Sequence, residues 1–419
     1  MKKIFILMLF FISVSTFGLN TDGNTRSRGM ALNDRIWMMD GQMPMIYQFP
    51  SRLSEYKNRI FFEYDGDEYG GAIFNPFGLI HIGFFTGKEI DIRLYDRSST
   101  KSLLYTNGNS LGSYSFYGAK PKQENFSAIL SLDLGFIKMG LMGGYSYIKS
   151  EDNTNDKATN FSNHNNHKNS ITQINARASV TLDLGKLLTL DAGAFFTKYN
   201  FLITNDTMSH NPSISSHRLE VSEVKSDGAY DAGIFAHLSL NFIPKNKIHI
   251  YASAARLDRS TTANSQDKFL YNPTNNKNYV ESFKRTGLEF ELGLSDEMKL
   301  SKKTTIIVGV KGFLSLFNYE FESNELLSSQ KRSYKDENKY INIPFVISFE
   351  SQLFKFLMIR FGLSHNIYQT QRNEENQKDQ NPGSENNQEH TDVYSANTYL
   401  SMGSSITFRN FQFDWDNNV

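Results

Sequence analysis

"SVTLDLGKLLTL", residues 179–190, sets two leucine-rich arms on either side of Gly185-Lys186 and places Asp183 in the first arm. Extended backwards and read by parity, Ile174, Ala176, Ala178, Val180, Leu182 and Leu184 share one face. Gln173, Asn175, Arg177, Ser179, Thr181 and Asp183 share the other. Beyond the glycine, Leu188, Leu190, Ala192, Ala194 and Phe196 oppose Thr189, Asp191, Gly193 and Thr197. Successive side chains of a strand point to opposite faces, so this is a β-hairpin. Glycine at the head of a two-residue loop suits a type II′ turn. The aspartates then lie on the polar face, away from the leucines.

The phrase has a near copy in "SLDLGFIKMGL" (131–141), and the same alternation runs through the rest of the chain. Phe126, Leu130 and Leu134 oppose Ser127, Ser131 and Asp133. Ile234, Ala236 and Leu238 oppose Gly233 and His237. Leu288, Phe290, Leu292 and Leu294 oppose Glu289 and Glu291. Phe345, Ile347 and Phe349 oppose Ser348 and Glu350, while Phe361 and Leu363 oppose Arg360 and Ser364. The apolar rows carry almost no charge.

Connections alternate in length. Tight turns are expected near 135–136, 185–186, 244–247, 296–303, 353–355 and 409–410. Long polar loops are expected at 151–170, 201–227, 258–278, 322–338 and 372–391, those at 151–170 and 372–391 being the most mobile and protease-sensitive. Strands of about ten residues with one apolar face, joined by short turns on one side and long loops on the other, are the signature of an outer-membrane barrel. Tyrosines near the long-loop ends (Tyr145, Tyr147, Tyr199, Tyr230, Tyr279, Tyr319, Tyr340, Tyr368, Tyr394) fit an interfacial girdle, with Tyr199, Tyr279, Tyr340 and Tyr368 on the polar parity. The fold class is all-β: an antiparallel up-and-down transmembrane β-barrel of about 14 strands, range about 12–18.

Composition agrees. Lys and Arg total 44, Asp and Glu total 44, and aromatics reach 14%, with no cysteine. Balanced charge offers nothing to nucleic acid. Absent thiols exclude disulfides, thiol catalysis, Cys-ligated metal and lipoprotein acylation. "MKKIFILMLFFISVSTFG" (1–18) has a basic start, an apolar run and small residues at its end, and reads as a signal peptide. Residues 19–58 form an N-terminal segment, apolar and Met-rich at 30–50 and suited to insertion in the lumen. Residues 59–419 form the barrel.

Candidate pore-lining groups are the charges on the polar parity: Asp133, Lys138, Arg177, Asp183, Asp191, Glu289, Glu291, Lys311, Glu350 and Arg360. Rings of one sign would select ions, whereas this mixture implies weak selectivity or salt bridges within the barrel. His164 and His167 form H-x-x-H in a polar stretch without further ligands, so no metal site is expected. No H-E-x-x-H, G-x-S-x-G, Walker A or Rossmann pattern occurs, so neither enzymatic activity nor a cofactor is expected. Leu190→Arg on the apolar parity is expected to cost more than Ser179→Arg on the polar one.

These features together resemble bacterial outer-membrane β-barrel proteins of the kind found in spirochaetes and other low-GC diderms. "RSRGM" (26–30) and "FNPFG" (74–78) are similar to the start of long-chain fatty-acid-transporter-like barrels. The resemblance implies outer-membrane lipid as a partner, and small solutes or host surface molecules as ligands. Two roles follow: a pore or facilitated transporter for small solutes, or a surface-exposed adhesin or antigen. It also implies a closing strand with a terminal aromatic. Here Phe411, Phe413 and Trp415 begin one and "DNNV" interrupts it, so either a short strand pairs with residues near 60–74 or the chain is truncated.

Overall fold

Alternation builds long strands here where an apolar row is continuous over ten or more residues, as at 174–184 and 230–240. The computed structural model describes residues 30, 38, 45–56, 58–64, 68–86, 105–106, 109–110, 122–158, 161–211, 216–226, 228–258, 260–269, 277–325, 331–379, 388–394, 396–408 and 411–418. The signal-peptide reading (1–18) lies outside these residues.

The first elements among the described residues are helix α1 (Met45–Gln48) and a 3-10 turn (Pro50–Glu55). Strands β1 (Arg59–Tyr64), β2 (Glu68–Phe74) and β3 (Ile80–Thr86) follow, then a small ribbon of β4 (Tyr105–Thr106) and β5 (Asn109–Ser110). Next come β6 (Lys122–Asp133), β7 (Ile137–Ala158), β8 (Phe161–Leu184), β9 (Leu188–Asn211), β10 (Ser216–Ser226) and β11 (Tyr230–Leu240). They continue with β12 (Asn246–Asp258), β13 (Thr261–Phe269), β14 (Lys277–Lys299), β15 (Thr304–Glu325) and β16 (Lys331–Phe354). The chain ends with β17 (Leu357–Asp379), β18 (Gln388–Tyr394), β19 (Thr398–Phe408) and β20 (Phe411–Asn418). All but the ribbon join one 18-stranded antiparallel sheet. β10 and β11 pair with successive stretches of β9, so they are one strand interrupted near Gly228, whose φ is +69°. β12 with β13, and β18 with β19, continue each other in the same way.

The side chains face the reverse of a soluble sheet. Phe126, Leu130, Ile174, Leu184, Phe196, Ile234, Leu288, Leu292 and Phe361 are exposed. On the other face, Ser127, Ser131, Gln173, Asn175, Ser179, Thr181, Asp191, His237 and His249 are buried. Water would favour the opposite arrangement at about 25 cal/mol per Å² of apolar surface, so the outer face is built for an apolar surround. Tyr145 and Tyr399 also point outward, and Tyr230 stacks on Phe196, whereas Tyr199 is buried inward and donates to Asp231 at 2.6 Å.

The polar face is concave. Adjacent residues Tyr47 and Gln48 reach Phe85 on β3 and Tyr251 on β12. Those strands are six pairings apart, about 29 Å in a flat sheet at roughly 4.8 Å per step. Two neighbouring side chains meet both because the sheet curls around them. The result is a β-barrel wall enclosing the N-terminal segment. Among the described residues, β1 pairs with β2 and β20 with β19, with no pairing between β1 and β20.

Several sequence expectations need correction. The segment 151–170 is not a loop: β7 and β8 stay paired out to Ala158 and Phe161. The stretches 201–227, 258–278, 322–338 and 372–391 likewise consist largely of paired strand. A registered antiparallel pair satisfies its own backbone groups, so a low apolar content does not stop it. The 24 residues of β8 extend about 80 Å at roughly 3.3 Å each, far beyond a hydrocarbon core of about 30 Å. The turn at 185 holds three residues rather than two, with Leu184 paired to Leu188 and Gly185 at φ +74°. At the chain's end, β20 runs through the polar "DNN" to Asn418 and pairs with β19; among the described residues it makes no pairing with those near 60–74.

Candidate functional site

The site is the polar inner wall and the segment packed against it. Met30, Met38, Met45 and Phe49 form one buried cluster with Phe235, Tyr251, Ile307 and Val346 of the wall. Ile46, Leu53 and Tyr56 form a second with Ile73, Phe85, Ile129 and Met142. Met and Phe thus fill the lumen where the wall offers inward-facing apolar groups.

Polar contacts fix the segment's position. Ser51 N donates to Ser179 Oγ at 2.9 Å, and Ser51 Oγ lies 2.7 Å from Thr181 Oγ1. Ser131 Oγ donates to Ser51 O at 3.1 Å. Arg177 Nη1 donates to Tyr47 O at 3.1 Å, and its guanidinium lies 5.4 Å from the centre of the Phe195 ring. Gln48 Nε2 donates to Tyr251 Oη at 2.6 Å. Ser295 Oγ donates to Met38 O at 3.4 Å, and Ser348 Oγ donates to Met30 O.

Gly140 permits the closest approach. A Cβ there would land on the Ser51 amide nitrogen and the Pro50 carbonyl carbon. Gly140→Ala should therefore push the 3-10 turn off the wall at a cost of about 1–3 kcal/mol. A Ser54→Cys thiol, buried in the turn, reports it: labelling should speed up while circular dichroism keeps the strand signal. Unchanged labelling would show that the turn tolerates the methyl group.

The strongest anchor is ionic. Arg52 donates from Nε to Asp191 Oδ1 at 3.0 Å and from Nη2 to Oδ2 at 2.5 Å, a two-pronged pair with side chains 4% and 0% exposed. Two parallel N–H···O contacts make such pairs directional as well as strong. Thr181 Oγ1 donates to Asp191 Oδ1 at 2.6 Å, and His237 Nδ1 lies 3.0 Å from Oδ2. Beyond it, His237 Nε2 is 3.1 Å from His249 Nδ1, and His249 Nε2 is 3.4 Å from Glu297 Oε2. A continuous polar chain thus crosses β9, β11, β12 and β14 and ends on the segment.

The other expected site residues lie on the same wall, mostly in pairs. Lys138 contacts Asp183 at 2.8 Å and Glu55 at 3.5 Å. Asp183 also accepts from Thr189 Oγ1 at 3.0 Å. Lys311 pairs with Glu291 at 3.1 Å, and Arg360 Nε donates to Glu350 at 2.8 Å. Asp133 accepts from Gly135 N at 2.9 Å and shapes the turn into β7. Glu289 is half-buried, opposite Ala255 and Ser315. His164 and His167 lie in β8, and no cluster of His, Asp or Glu able to hold a metal occurs among the described residues.

Arg52, His249 and Glu297 had no sequence signal as a group. Arg52 sits in a short irregular stretch, while His249 and Glu297 meet only once two turns set the registers of β11, β12 and β14.

Nearer the ends of the strands away from the short turns, the wall is polar and largely uncharged. Ser146, Gln173, Asn175 and Thr197 are buried side by side on β7, β8 and β9. Ser146 Oγ, Gln173 Oε1 and the Asn175 amide have no hydrogen-bond partner among the described residues.

No family model and no curated protein sequence matches this chain. Among solved structures it is similar to the ferric yersiniabactin uptake receptor FyuA from Yersinia pestis, at 8% identity and a TM-score of 0.40, covering 83% of this chain. The chain spans 65% of that receptor's length. It is similar to the RagAB peptide importer at 9% identity and a TM-score of 0.27, covering 93% of this chain and 69% of that one. A third is the ferric enterobactin receptor PfeA from Pseudomonas aeruginosa, at 8% identity and a TM-score of 0.20, covering 83% and 72%. The fold assignment itself stands on side-chain facing and strand order: the chain is an all-β antiparallel barrel with an apolar exterior and a polar, occupied interior.

Proposed function

We propose that the protein is an outer-membrane β-barrel that passes small solutes, with its N-terminal segment docked in the lumen as the resting state. The carrying observation is the facing of the wall, apolar residues outward and buried polar residues inward. An interior with both charge signs paired disfavours ion selection by a single-sign ring. Neutral hydrogen-bonding groups at Ser146, Gln173, Asn175 and Thr197 favour uncharged polar solutes. Single-channel recording in planar bilayers tests the reading. Steps of reproducible size, blocked by a permeant solute, support transport; a folded barrel that stays silent even without residues 19–56 defeats it.

The projecting hairpins favour a second reading, a surface-exposed interaction protein. Joining Ser150 directly to Asn169, its partner in register, through a two-residue turn would remove one hairpin and spare the wall. Conductance should be unchanged. If instead conductance is absent even without residues 19–56, and binding to host-cell surfaces is lost in the trimmed chain, the surface role takes precedence.

A further inference from the structure

The chain Asp191–His237–His249–Glu297 does not close with neutral histidines. Its three contacts measure 3.0, 3.1 and 3.4 Å, and both ends are carboxylates, which only accept hydrogen bonds when ionised. Three contacts need three hydrogens, and two neutral imidazoles bring two. His237 donates Nδ1–H to Asp191, and His249 can donate Nδ1–H to His237 Nε2. That leaves the bare Nε2 of His249 against Glu297. Ser239 Oγ, 3.1 Å from His249 Nδ1, offers the other arrangement. It donates to Nδ1, and His249 turns its N–H to Glu297. Then two bare nitrogens face each other at 3.1 Å between nearly coplanar rings. Both imidazoles are fully buried, so water does not repair either mismatch cheaply.

The local charges have the same shortfall. Facing the chain and its anchor are Asp191 on β9, Glu297 on β14, Asp183 on β8, Asp133 on β6, and Glu55 with the Tyr56 phenol on the segment. The cations are Arg52 on the segment, Lys138 on β7, Lys247 on β12, in register with Glu297, and Lys299 on β14 near Lys247. Among the described residues, five carboxylates meet four cations. One added proton completes the hydrogen bonds and the charge balance together. We propose that the His237–His249 pair is a proton-binding site, held as a shared imidazolium between Asp191 and Glu297, and coupled through Arg52 to docking of the N-terminal segment.

The coupling has a definite sign. Arg52 and the proton are both cations held by one buried acidic chain. When Arg52 leaves, Asp191 loses its guanidinium and the site takes a second proton in its place. The undocked state therefore binds more protons, docking strengthens as pH rises, and acid favours release, by up to about tenfold per pH unit for one proton exchanged. The proposal rests on the docking geometry and not on the transport reading, so a silent bilayer experiment leaves it standing.

Two measurements on the full chain refolded in detergent test it. Nitrogen-15 NMR of labelled histidine, with signals assigned through His237→Gln and His249→Gln, should show one imidazolium with both nitrogens protonated at pH 7.5. Glu297→Gln, whose amide supplies the missing hydrogen itself, should abolish that signal. Two neutral imidazoles in the unmodified protein would overturn the site. A nitroxide on Gln48→Cys then follows docking, and its mobile component should grow severalfold between pH 7.5 and 5. The growth should vanish in His237→Gln, with His249→Gln as a second background. A spectrum independent of pH, or acid release that persists in both variants, would overturn the coupling.

Discussion

Asp191→Ala should free the N-terminal segment from the wall, and no other single substitution on the inner wall should do so as completely. The carboxylate accepts from Arg52 twice, from Thr181, and from His237. Its removal leaves a guanidinium buried without its counter-charge, a change that costs about 3–5 kcal/mol in comparable pairs. At fixed pH, labelling of the Ser54→Cys thiol should then accelerate by at least about a hundredfold, the factor corresponding to about 3 kcal/mol. Arg52→Ala should act in the same direction. The double variant should be less damaged than the two single costs combined, because each single change strands the other partner. Additive costs would show that Arg52 and Asp191 act independently. If the barrel passes solutes as proposed, the same variant should open a conductance in bilayers that the unmodified protein shows only rarely. Faster labelling without new conductance would separate docking of the segment from closure of the pore.

The sequence carries the wall and hides the anchor, for a physical reason. Strand facing follows from a period of two, and local alternation at 174–184 or 288–294 already states which side meets lipid. Asp183 and Asp191 were legible as inward groups on that basis alone. Turn positions were legible too, though the three-residue connection at 185–187 and the five residues between β11 and β12 depart from the simplest reading. Those small departures set register, and register decides contacts. His237 sits opposite Tyr251 and His249 opposite Ser239, so the two imidazoles meet on a diagonal that parity does not specify. Arg52 is harder still: its contact with Asp191 spans 139 residues and depends on a 3-10 turn with no periodic pattern. The projecting hairpins are illegible for a different reason: low apolar content predicts loops, but a backbone ladder anchored at the barrel continues without a core.

Facing itself supports the second large effect. Leu292 is 64% exposed on the outer side of β14, in a row with Leu288, Phe290 and Leu294. Leu292→Arg should destabilise the folded barrel in bilayers by about 2–4 kcal/mol if the residue lies near the midplane, since the cation must snorkel or thin the lipid. The control must be inward. Ser179, chosen on parity alone, is unsuitable because it accepts from Ser51 N and is buried under the segment. Ser179→Arg would therefore be damaging for a reason unrelated to lipid. Ser253 is better placed: it is half-buried on the inner side of β12, and its Oγ is 3.4 Å from Glu291. Ser253→Arg sets its cation on the polar inner wall beside Glu291, which Lys311 already pairs, and should cost less than Leu292→Arg. Urea titrations of both variants folded in lipid vesicles compare the two directly. Equal midpoints would mean that the apolar row does not face lipid. A larger loss in Leu292→Arg that disappears in short-chain, thin bilayers would place the residue at the depth of the hydrocarbon core, because only there does bilayer thickness govern the cost of the charge.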